Sequence, residues 1–193
     1  MLFLKKALIC AFALATPSFA ALNADQTAMV TRLSQMATND FNSKAQIDPM
    51  GSNSLVVGPA VMTALQNSAT DQVFVLQKAQ SGGVVATGLD ASAISTVFGL
   101  WTGNHGALLL SSVNGRATLL ASSFYGPPIL AVLNVEHNNV KEMITRFNAM
   151  LPGSAYAATR SDILAKANAL CATQKQAIIL YGGTTTGGAS TCA

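Results

Sequence analysis

GALLLSSVNGRATLLASSFYGPPILAVLNVE, residues 106–136, holds three apolar runs separated by two breaks. Asn114-Gly115 stands between the runs 107–112 and 117–122, and Asn-Gly accepts the positive φ that a type I′ hairpin turn needs at both central positions. Tyr125-Gly126-Pro127-Pro128 then interrupts the chain before a third run, 129–135. The runs are continuously apolar rather than alternating, as in strands covered on both faces. The stretch therefore predicts a three-strand meander at the centre of a sheet.

Working outward, residues 73–76 and 84–87 flank Ser81-Gly82-Gly83, which predicts a second hairpin, and 177–181 predicts a final strand. Helical spacing lies between these runs. Asn23 and Gln26 stand at capping-box distance ahead of Met29, Leu33, Met36 and Ala37, so a first helix is expected to start at Asn23 and end near Phe41. Pro59 suits the first turn of a short helix over 59–67. Asp90 is expected to cap a helix through Ile94, Val97, Phe98 and Trp101. Asn139 and Glu142 repeat the capping-box spacing before the stripe Val140, Met143, Ile144, Phe147, Met150 and Leu151. A last helix from Thr159 carries Ile163, Leu164, Ala167, Leu170 and Cys171 on one side. The order of elements predicts an α+β fold, mainly antiparallel, with the meander at its centre and helices packed on it. The organisation expected is a signal peptide over 1–20, an N-terminal helix over 21–42, a linker over 43–54 containing Asp48-Pro49 and Gly51, and a single α+β domain over 55–193.

Residues 1–20 have the parts of a secretory signal: Lys5 and Lys6, an apolar core over 7–15, and Ser18-Phe19-Ala20 as a cleavage site. The apolar core is too short for a stable bilayer anchor, so the mature chain is expected to be exported without a transmembrane anchor and to reside in the periplasm or outside the cell. Removing this segment leaves nine Lys and Arg against eight Asp and Glu, a net charge of +1. The cations are scattered singly, which argues against nucleic acid as a partner. Half of the chain is apolar and only 10% is charged, so the surface repels neighbours weakly. Other envelope proteins, or a second copy of the chain, are the partners this favours. Cys171 and Cys192 survive signal removal, and an isolated pair in an oxidising compartment predicts a disulfide that ties down the Gly/Thr-rich tail over 182–191.

Chemistry has few places to reside. The chain has two histidines, and it lacks a nucleophile elbow, a phosphate loop, a dinucleotide fingerprint and a Cys-x-x-Cys pair. Glu136 and His137 are the catalytic candidates, because they fall where the third run gives way to a helix. Ser111 or Ser112 could complete a Ser-His-acid set with them. His105, in Gly103-Asn104-His105-Gly106, reads as a turn residue. A zinc set of His105, His137 and a carboxylate has the ligand types without the usual spacing, so neither a metal nor a cofactor is expected. The function that follows is that of a non-enzymatic exported protein acting by protein contact, as part of a cell-envelope or secretion assembly. The alternative is a small periplasmic hydrolase working through His137.

Overall fold

A computed structural model of the chain describes residues 21–185 and Cys192. The expected signal segment, 1–20, and most of the Gly/Thr tail lie outside the described residues. Among those described there is no strand. Five long helices account for the fold: α1 Ala24–Ile47, α2 Ser54–Ser81, α3 Gly88–Leu108, α4 Gly126–Met150 and α5 Ala157–Leu180. The α+β expectation and its central meander are thereby overturned, and the protein is a five-helix bundle.

The reason lies in what a continuous apolar run can mean. Such a run suits a buried strand or a buried helix equally, and spacing over a longer window decides between them. Leu108, Leu109, Ser112 and Val113 are buried while Leu110 is 53% exposed, a helical rather than a strand pattern. Residues Leu109–Val113 make one π-helical turn, Asn114–Arg116 a 3-10 turn, and Ala117–Leu120 a single α-turn. Asn114 has φ −67°, and positive φ is confined to Gly83, Gly153 and Gly182, so no hairpin turn forms at Asn114-Gly115. The third run belongs to α4, where Ile129, Leu133, Glu136, Val140, Met143 and Phe147 form one stripe and His137 is buried beside it. Pro127 and Pro128 start this helix instead of breaking a sheet, since the first turn has no N–H partner to lose. Residues 73–76 lie within α2, and 177–180 close α5.

The expected capping box is present at α1, where the Asn23 side chain accepts from Gln26 N at 2.9 Å and Asn23 N donates back to Gln26 Oε1 at 3.2 Å. The helix runs on to Ile47, past the linker boundary expected at residue 43. The α2 helix starts at Ser54, capped by Asn53, so Pro59 is internal to it. The α3 helix is capped by the Thr87 hydroxyl, which accepts from Asp90 N at 3.2 Å and leaves Asp90 in the first turn.

Packing closes the helices into a ring in the order α1, α2, α4, α5, α3 and back to α1. Because α2 and α3 are each packed on α1, the link between them crosses the N-terminal end of α1. Asn23 Nδ2 holds Gly82 O at 2.6 Å, and Gln26 Nε2 reaches Gly82 O at 2.9 Å and Val84 O at 3.2 Å. The opposite mouth of the ring is crossed by residues 109–125. Arg116 secures that crossing by donating to Ile47 O, Asp48 O and Met50 O at 2.9, 3.0 and 2.8 Å, which satisfies carbonyls that the end of α1 leaves open. The Tyr181 hydroxyl adds a bond to Val113 O at 3.2 Å.

Candidate functional site

The interior of the ring is apolar along most of its length. Four methionines, Met29, Met36, Met143 and Met150, are at most 2% exposed within it. Methionine is unbranched and adapts its shape, so this core yields more readily to a guest than one of branched side chains. One polar cluster interrupts it, assembled from four of the five helices: Asp40 from α1, Ser68 and Gln72 from α2, Trp101 and His105 from α3, and Glu136 from α4. His105 and Glu136 have no exposed surface, and Asp40 has 3%.

His105 is at the hub. Its Nδ1 lies 3.1 Å from Asp40 Oδ2 and 3.4 Å from Ser68 Oγ, and its Nε2 lies 3.3 Å from Glu136 Oε2. Gln72 Nε2 donates to Ser68 Oγ at 3.3 Å, and the Trp101 ring stacks on the imidazole with centroids 5.8 Å apart. Burial alone would push the imidazole towards neutrality, but the charges of Glu136 and Asp40 outweigh it and raise His105 to about 10. Burial pushes the Glu136 carboxyl up as well, and His105 offsets that only in part.

The cluster is not fully satisfied. The His105–Glu136 contact lacks hydrogen-bond alignment, and both Glu136 oxygens, Gln72 Oε1, Trp101 Nε1 and His105 Nε2 have no hydrogen-bond partner among the described residues. His105 Nε2 and Glu136 Oε2 still face each other as an ion pair, but Glu136 Oε1, Gln72 Oε1 and Trp101 Nε1 are left without any partner, each at a cost of about 1–3 kcal/mol, and these three mark a place suited to polar atoms from outside the chain.

The sequence candidates separate in this structure. Glu136 joins the cluster, while His137, the next residue, points across the α4–α5 seam, with Nδ1 3.3 Å from Gln174 Oε1. Burial lowers the His137 pKa, with Gln174 opposing the shift. Ser111 donates to Ala107 O at 3.1 Å and Ser112 to Asp48 Oδ1 at 2.9 Å, so neither is joined to His137. Ser68 is the serine nearest a histidine, but an imidazolium has no lone pair with which to take a hydroxyl proton. Among the described residues no group of three or more His, Cys, Asp or Glu is placed to hold a metal ion, because Asp40 and Glu136 face opposite nitrogens of the His105 ring.

Reading the sequence singled out Glu136 as a catalytic candidate for its place in the chain and did not bring Asp40, Ser68, Gln72 or Trp101 together with it. The available signal was polar residues at helical spacing on apolar stripes: Ser68 with Gln72, Trp101 with His105, and Glu136 between Leu133 and Val140. Cys171 and Cys192 are joined by a disulfide with Cα atoms 5.3 Å apart, which is compatible with an exported protein. No helix among the described residues is long and apolar enough to cross a membrane.

Shallow depressions lie on the described surface apart from the cluster. One, of about 510 Å³, is bordered by Pro152, Arg160 and Leu164, and another, of about 460 Å³, lies between α1 and α2. Exposed apolar side chains lie towards both ends of the bundle, with Leu55, Val56, Leu110, Phe124, Ile179 and Leu180 at the end crossed by 109–125 and Val84 and Leu89 at the other. Phe124 is 66% exposed and packs on Tyr125, whose ring covers Gly58 so closely that a Cβ there would overlap it.

No protein-family profile matches the chain, and no curated protein matches it. Its fold is similar to that in the crystal structure of Afmp4p in complex with palmitic acid. The TM-score is 0.70 at 13% identity, over 81% of this chain and 99% of that one.

Proposed function

We propose that this protein is an exported carrier that holds a single-chain amphiphile inside its helix ring, without chemical turnover. The observation that carries the reading is the unsatisfied polar cluster in an otherwise apolar, methionine-rich interior. The fold shared with a protein whose structure holds palmitic acid supports the same reading. The long helices span about 30–40 Å at 1.5 Å per residue, so an extended sixteen-carbon chain of roughly 20 Å fits within the length of the bundle.

The lone tryptophan makes the test direct, because Trp101 is fully buried and stacked on His105. Titration with palmitic acid should change its emission saturably at one ligand per chain, and native mass spectrometry of protein purified without detergent should retain an acyl-chain adduct. No saturable change with either palmitic acid or 1-hexadecanol, together with no retained adduct, would remove the reading.

A second reading is favoured by the apolar end of the bundle. Leu55, Leu110, Phe124 and Ile179 lie around the crossing segment, and this end suits contact with another protein of the cell envelope or with a second copy of the chain. Phe124→Ser should then abolish a cross-linked species seen with the wild type in envelope extract, while leaving the Trp101 response to palmitic acid intact. A wild-type protein that stays strictly monomeric, with no cross-linked partner, would oppose it.

A further inference from the structure

We infer that the polar cluster selects an uncharged, hydrogen-bond-donating head group, of which an alkyl hydroxyl is the simplest, over a carboxylate. The inference rests on the carrier reading and deepens it, naming the class of amphiphile that the same interior would hold.

The argument concerns what the cluster leaves unpaired. Apart from the atoms of the His105–Glu136 ion pair, two unpartnered atoms are acceptors, Glu136 Oε1 and Gln72 Oε1, and the third is a donor, Trp101 Nε1. All three belong to side chains without exposed surface. A hydroxyl fits this set because it gives one proton to an acceptor and takes one from an N–H. A carboxylate could accept from Trp101, but it would offer nothing to Glu136 or Gln72. It would also enter a cluster in which Asp40 and Glu136 already stand 3.1 and 3.3 Å from the one cation. Bringing a further negative charge into an interior of low polarity beside two carboxyl groups is the costlier event. Asp40 is committed to His105 Nδ1, so Glu136 carries the discrimination.

The experiment compares 1-dodecanol with dodecanoate, which share chain length and differ at the head group, by Trp101 emission at pH 7.5. The alcohol should bind at least about tenfold more tightly, a margin of roughly 1.4 kcal/mol. Glu136→Gln, which keeps the shape and removes the charge, should bring the two ligands within about threefold of each other. Equal affinities in the wild type, tighter binding of dodecanoate, or a preference unchanged in Glu136→Gln would each overturn the inference. The wild-type comparison decides the matter even if the variant does not fold. If both ligands bind without preference, the head-group assignment fails and the carrier reading stands; if neither binds, both fail.

Discussion

Glu136 and His137 are adjacent in sequence and lie in different environments. Glu136 is sealed in the ring with one oxygen facing His105 and the other unpartnered, whereas His137 is buried in the α4–α5 seam with Gln174 beside it. A helix turns 100° per residue, so neighbouring side chains on a ring helix can belong to the lumen and to a seam respectively. Proximity along the chain is therefore poor evidence for a shared site in this fold.

The largest expected effect comes from removing the hub. His105→Ala leaves Asp40 and Glu136 buried without their cation, and should cost about 3–5 kcal/mol in urea unfolding. A loss under about 1 kcal/mol would mean that the cluster is no more coupled than the seam. Breaking the disulfide by replacing both Cys171 and Cys192 with Ser should cost about 2–4 kcal/mol in the same assay. Since Cys171 is one helical turn from Gln174 on α5, the near-ultraviolet signal of Trp101 should persist in that variant. Its loss would show that the two regions are linked through α5.

Acid–base behaviour separates the regions by sign. His105 is raised in the folded state, so its contribution to stability is fully present below the unfolded value of about 6.5 and is lost as pH climbs through about 10. His137 is lowered, so its unfolded form takes up a proton first, and stability falls as pH drops below about 6.5. The Tyr181 phenol, pushed up by burial, adds alkaline destabilisation only above about pH 10, which leaves pH 7–9.5 as the window for His105. Imidazole NMR should show one ring unchanged from pH 5 to 9 and one titrating below its ordinary value. Two rings titrating together near pH 6.5 would erase the contrast. The smallest effect is that of His137→Ala, which removes the contact with Gln174 and should cost about 1 kcal/mol.

The helical parts legible in the sequence were those with a local signal. The Asn23–Gln26 capping box and the stripe from Val140 to Met150 both occur as read, although that stripe begins ten residues earlier than Asn139 suggested. What misled was local chemistry overridden by packing. Asn114-Gly115 would turn a hairpin in isolation, but the buried set Leu108, Leu109, Ser112 and Val113 keeps the chain helical up to it. His105 lies in a segment with glycines at 103 and 106, each costing a helix roughly 1 kcal/mol, yet α3 continues through both. Asn104 Nδ2 bonds Ala37 O at 2.9 Å there, and Trp101 covers the imidazole, so tertiary contacts decide. Spacing could mark the pairs Ser68 with Gln72 and Trp101 with His105, each on one helix, but not their meeting, because the cluster's members come from four helices whose ring order departs from their order in the chain.

That ring order also sets a sequence of assembly. The helices that supply the cluster, α3, α1, α2 and α4, are contiguous around the ring, and all precede α5 along the chain. A chain emerging amino end first can therefore gather every polar member of the cluster while one side of the bundle is still open, as a trough. The last helix then shuts the trough by docking on α3 and α4. The disulfide is carried by this final stave, so it can close only once residue 192 has emerged, after every helix that supplies the cluster.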